Sequence, residues 1–142
     1  MKLTLSAICG IAVILFSQSC YAQESPDRLR AELLKDEKAK PKTYLSIIKQ
    51  NNAHRIDGWY VSGVIKNTAS LAEFKDAVVI VSFYTQTQTH LTSQQYTLYQ
   101  YFKPNKPQYF SFKVHAPKPT VSINITIKDA TAVEDDSTLE KQ

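Results

Sequence analysis

Three histidines, His54, His90 and His115, are the residues best suited to chemistry at neutral pH. An imidazole binds a metal or moves a proton when a second ligand or an orienting group lies close to it. None of the three has such a neighbour two or four residues away, and no H-E-x-x-H run exists. His54 falls in a predicted loop, His90 ends the polar turn "TQTQTH", and His115 is out of phase with Phe112 and Val114. The acids Glu134, Asp135, Asp136 and Glu140 crowd the C-terminal run "EDDSTLE", which lacks the glycine and spacing of a calcium loop. No G-x-S-x-G elbow is present. Both cysteines, Cys9 and Cys20, lie in the first twenty residues, so the rest of the chain has no disulfide, Cys–zinc site or Cys nucleophile. Gly58 and Gly63 are the only later glycines, too few for a phosphate cradle. The expectation is no catalytic residue, no metal and no cofactor: not an enzyme.

The run "YTLYQYF" (96–102) carries a different chemistry. If Tyr96, Leu98, Gln100 and Phe102 share one strand face, Thr97, Tyr99, Tyr101 and Lys103 share the other, with Lys106 close by in the following turn. One face belongs to the core. The other presents tyrosines beside lysines, a good surface for protein or glycan, because a ring offers contact area at low entropic cost. It also suits a cross-strand aromatic ladder that only stabilises a sheet. Tyr99, Tyr101, Lys103 and Lys106 are therefore the candidate partner face. A single-stranded nucleic acid platform has a similar pattern, but the leader described next argues against nucleic acid.

The elements that must position these residues follow. "MKLTLSAICGIAVILFSQSCYAQES" has a basic start, an apolar run from Leu3 to Phe16 and a polar end, the three regions of an export signal. That apolar run is too short to span a bilayer comfortably. Ordinary cleavage between Ala22 and Gln23 fits, with small residues at Cys20 and Ala22. The rival is lipidation of Cys20, with Ser19 before it; Ser17 stands where a lipoprotein signal usually has an aliphatic residue. The first outcome leaves a free periplasmic or secreted protein, the second an acyl-anchored one. Residues 23–42 are charged and lack β-branched side chains. Ser25 is a cap, Pro26 a first-turn residue, Leu29 and Leu33 a shared face with Leu34 beside it, and Pro41 a stop. The two readings are a frayed spacer and a docking helix that covers one end of the domain.

Residues 43–130 are rich in Val, Ile, Thr, Tyr and Phe and read as strands. The expected strands are 43–50, 59–67, 74–85, 91–102, 108–116 and 120–130. Asn51 to Gly58 is expected as a connection. Trp59, Val61, Gly63 and Ile65 share a face, as do Ala77, Val79, Val81 and Phe83. Strand 74–85 is apolar on both faces in its middle and is expected at the centre of a sheet. Phe110, Phe112 and Val114 point inward, as do Val121, Ile123, Ile125 and Ile127. Gly63 makes room for a neighbour, with Trp59 or Phe83 as the filler. Asn67 starts a loop, "TASLAEFK", that crosses between sheets. Short strands without helices between them predict an antiparallel sandwich rather than a βαβ fold. Residues 131–142 are expected as a flexible acidic tail.

The order "VSGVIKN", "EFKDAVVIVSFYT", "YTLYQYF", "KPNKP", "QYFSFKV" resembles FxLYD-type and related extracytoplasmic immunoglobulin-like domains, especially those of small exported proteins of Bacteroidetes-type bacteria. The likeness covers about residues 44–130. Two positions depart from it: Asn105-Lys106-Pro107 replaces a Pro-Gly turn, and Tyr84-Thr85 stands where the pattern has an acid. The resemblance implies an all-β, immunoglobulin-like antiparallel β-sandwich of six to seven strands, behind a signal peptide (1–22) and a short stalk. It implies an exported or lipid-anchored module with no catalytic residues, and it supplies no ligand. The net charge of +4, or +3 without Lys2, is a modest basic bias. It is compatible with anionic envelope polymers or lipid head groups, and equally with plain solubility. The expected role is a non-enzymatic cell-envelope module that contacts an unknown protein or envelope component; the alternative is a glycan- or lipid-contacting accessory protein that uses the Tyr/Lys face. Membrane contact is expected only through an anchor at Cys20.

Overall fold

The computed structural model describes residues 25–134. Two helices lead into six strands: α1 (Pro26–Ala39), α2 (Pro41–Tyr44), β1 (Leu45–Arg55), β2 (Gly58–Asn67), β3 (Phe74–Tyr84), β4 (His90–Phe102), β5 (Pro107–Val114) and β6 (Ser122–Ala132). Two antiparallel three-stranded sheets form, in the orders β1-β2-β5 and β4-β3-β6. One continuous core between them gathers Val61 and Ile65 of β2, Ala77 to Phe83 of β3, Leu98 and Phe102 of β4, Phe110 and Val114 of β5, and Ile123 to Ile127 of β6. Each fully buried Val, Ile or Phe contributes about 1.5–3 kcal/mol. The period-2 apolar pattern therefore fixes which face of each strand turns inward. β3 is central, as its two-sided apolar middle requires.

Gly63 sits where β1 and the Phe110 ring both press on β2. A Cβ there would meet the Lys49 carbonyl oxygen and lie 2.8 Å from Phe110 Cζ. The filler is Phe110, not Trp59 or Phe83.

The turns place one set of connections at each end of the sandwich. At the first end lie α1, α2, the β2–β3 loop, the β4–β5 turn and the end of β6. At the second lie the β1–β2, β3–β4 and β5–β6 connections. The β2–β3 loop, the β4–β5 turn and the β5–β6 loop each cross between sheets.

Several boundaries differ from the sequence expectation. Thr43 and Tyr44 belong to α2 rather than to the first strand. β1 runs on through Asn51–Arg55, and Ile56-Asp57 alone make the hairpin turn, with Gly58 at φ 136°. The polar residues there are edge caps rather than turn formers. The amides of Gln50 and Asn52 each donate to the Ile123 carbonyl at 2.9 Å, and Ile125 N–H donates to Gln50 Oε1 at 3.3 Å. These side chains satisfy backbone groups on the open edge of β6. His90 begins β4 instead of ending a turn. Val121 is exposed and lies before β6. Thr131 and Ala132, expected in the tail, pair with Lys75 and Phe74, and Val133 N–H donates to the Glu73 carbonyl.

Candidate functional site

The first end is closed by a carboxylate. α1 starts as expected, with the Ser25 side chain accepting from Arg28 N–H and Pro26 in the first turn. Its contact face is not the expected one: Leu29 and Leu33 are 50% and 44% exposed. Leu34 packs on the core instead, and one turn later Glu37 is only 2% exposed. Glu37 accepts from the consecutive backbone N–H groups of Ser70 (2.8 Å), Leu71 (2.9 Å) and Ala72 (2.8 Å) in the β2–β3 loop. Burial pushes its carboxyl up, but the loop N–H donors outweigh this and hold it below its ordinary value. Beneath the loop, buried Asn67 donates to the carbonyls of Ala72 (2.8 Å) and Phe102 (2.9 Å) and accepts from Ala69 N–H (2.9 Å). Asn67 starts the loop, as expected, and also ties β2 to β4 in the other sheet.

The predicted tyrosine face forms on the outer side of β4. Leu98 and Phe102 are buried, while Tyr99 and Tyr101 are 84% and 57% exposed. Beside them β3 bulges between Lys75 and Ala77, and Asp76 at the bulge has φ 51°. Lys75, Asp76, Tyr99, Gln100 and Tyr101 line a hollow of about 200 Å³. The buried Gln100 Nε2 has no hydrogen-bond partner among the described residues. Lys103 and Lys106 are exposed at the ends of the β4–β5 turn, where Lys106 N–H donates to the Lys103 carbonyl. They do not line that hollow. Tyr109, also exposed, is on the outer face of the other sheet. Cys20, Ala22 and Gln23, and the acids Asp135, Asp136 and Glu140, lie outside the described residues.

The second end holds a larger groove, about 540 Å³, that the sequence did not disclose. One wall is the β1–β2 hairpin: His54, Ile56, Asp57, Gly58 and Trp59. The other is the β5–β6 loop from His115 to Thr120, with Thr92 and Gln94 of β4 alongside. His54 and Trp59 stack, with centroids 4.8 Å apart and planes 29° apart. Asp57 accepts from the Tyr60 hydroxyl and from Lys113 Nζ (3.4 Å). The Tyr60 hydroxyl first, and Lys113 with it, hold its carboxyl below the ordinary value. The Arg55 guanidinium sits 4.8 Å over the Tyr60 ring. Gln94 donates to the His115 carbonyl at 2.8 Å and so ties β4 to the loop.

His54 and His115, distant in sequence, thus line one groove. His90 does not; it bonds Ser93 and meets the Tyr84 ring edge-on. Among the described residues no three metal-ligating side chains come together, and no helix is long and apolar enough to cross a membrane. No family model matches this chain, no curated protein is similar to it, and no solved structure matches its fold.

Proposed function

We propose that this chain is a non-catalytic, exported, immunoglobulin-like module of the cell envelope that holds a partner protein against the outer face of β4. The immunoglobulin-like reading is supported by the strand orders. β1-β2-β5 and β4-β3-β6 correspond to A-B-E and C′-C-F of such sandwiches, without the last edge strand. Export rests on the leader at residues 1–22, and any membrane contact is through an anchor at Cys20.

The observation that carries the contact role is the split across β4. Its inner side chains fill the core, so Tyr99 and Tyr101 are not needed there, yet they stand in water beside a bulge. Bulges re-aim side chains and stop further pairing. A non-glycine residue in the left-handed region, here Asp76, costs of order 1–3 kcal/mol and persists only where its surroundings demand it. Exposed tyrosines on a face that the core does not need suit a partner that covers their rings.

The test is in-cell crosslinking of a C-terminally tagged copy, followed by recovery from the envelope. One stoichiometric protein partner is expected, lost in the Tyr99→Ala/Tyr101→Ala double variant while its melting temperature stays within about 2 °C of the parent. Capture that the double variant leaves intact, or recovery with glycan and no protein, would overturn this reading.

A further inference from the structure

The groove at the second end of the sandwich is independent of the tyrosine face and has its own chemistry. We propose that it binds an acidic saccharide of the uronic-acid type. Its volume, about 540 Å³, falls in the range of small-ligand pockets. The stacked His54–Trp59 pair supplies a flat aromatic wall, suited to the apolar face of a sugar ring.

The polar groups around that wall are mainly donors. The Trp59 indole N–H and the Lys118 ammonium can only donate, and neither has a hydrogen-bond partner among the described residues. The rings of His54 and His115, each with one donor and one acceptor nitrogen when neutral, also have no hydrogen-bond partner among the described residues. The single carboxylate of the lining, Asp57, is already engaged by Tyr60 and Lys113. Arg55 beside it, Lys113 and Lys118 leave the rim cationic. Such a set wants an acceptor-rich, anionic ligand, because charge-assisted donor–carboxylate bonds are about twice as strong as neutral ones.

An extended peptide fits less well. It binds through continuous backbone ladders, and the loop wall breaks any such run of donors. Pro117 and Pro119 have no N–H, and Thr120 N–H already donates to the Pro117 carbonyl.

Trp59 is the chain's only tryptophan, so its fluorescence reports this groove alone. The experiment titrates tetragalacturonate into the protein, with neutral cellotetraose and pentaglutamate as comparisons. A saturable change in Trp59 emission is expected with tetragalacturonate, and at least about tenfold weaker binding of the other two. Lys118→Glu, an exposed change that leaves the melting curve in place, is expected to weaken tetragalacturonate about tenfold or more. The Tyr99→Ala/Tyr101→Ala variant is expected to bind it as the parent does, so failure here and failure of the partner reading remain separate. The proposal is overturned by no emission change up to about 10 mM tetragalacturonate, by equal binding of cellotetraose or pentaglutamate, or by full affinity in Lys118→Glu.

Discussion

The two ends of this sandwich solve the same problem in opposite ways. Each must finish a set of strands whose backbone and polar side chains no longer have sheet partners. At the α1 end most of those groups are buried and paired: Glu37 takes three loop N–H groups and Asn67 makes three bonds of its own, with Gln100 Nε2 the buried exception among the described residues. At the hairpin end the polar groups stay wet, and several have no partner among the described residues: the His115 ring, the Lys118 ammonium and the Trp59 indole. An unmade hydrogen bond costs much when buried and little when hydrated. Stability therefore concentrates at one end, and the other is left free to bind.

The largest test of that contrast is Glu37→Ala. It removes one acceptor from three N–H groups and the anchor from α1. We expect a loss of about 3 kcal/mol in chemical denaturation, from the unpaired buried groups and the released helix. Glu37→Gln keeps one carbonyl oxygen and should cost about half as much. The same site sets an acid dependence. The carboxyl is depressed in the folded state, so its contribution is complete above the unfolded carboxylate range and disappears as pH falls through the folded value. The parent should lose more stability than Glu37→Gln over that acidic window. Parallel pH curves for the two would remove the clamp from the account.

Asn67→Ala comes next, at about 2–3 kcal/mol, because it strands the buried carbonyls of Ala72 and Phe102 and the N–H of Ala69. Asn67→Asp sharpens the point. It keeps the shape and the acceptor but cannot donate to either carbonyl, and it buries a charge. It should unfold at least as easily as the alanine variant. If Asn67→Asp is the milder of the two, the donors are not what holds the loop.

Legibility in the sequence follows the same divide between periodic burial and local polar chemistry. The run Ile123 to Ile127 alternates cleanly, so its inward face was readable from spacing alone, while the unbroken apolar run Ala77 to Val81 marked β3 as a central strand. The exposure of Tyr99 and Tyr101 came from the same rule. What spacing could not show was an anchor that is charged. A hydrophobic stripe pointed to Leu29 and Leu33, whereas α1 docks through Leu34 and Glu37. Asn51 and Asn52 looked like turn residues by composition, yet they lie in a strand, where Gln50 and Asn52 cap the edge of β6. The groove was hidden for a third reason. Its walls come from residues 54–59, 92–94 and 113–120, and only the crossing between sheets brings these together. The signals available were the lone tryptophan and the proline pair Pro117 and Pro119, neither specific without the fold.

The smallest predicted effect decides whether the open end is free. Ile56 stands fully exposed at the hairpin tip, and His115 and Lys118 are exposed on the facing loop. None fills the core. Ile56→Ser, His115→Ala and Lys118→Ala should each change stability by no more than about 0.5 kcal/mol. The hairpin itself is held elsewhere, by Gly58 in its special conformation and by the Asp57, Tyr60 and Lys113 bonds. A loss above about 1 kcal/mol in Ile56→Ser would mean that the tip packs in solution and that this end is closed as firmly as the other. A flat response, set beside the collapse expected of Glu37→Ala, would leave one end built for stability and one whose side chains stability does not need, which is the condition for a surface to evolve toward a ligand.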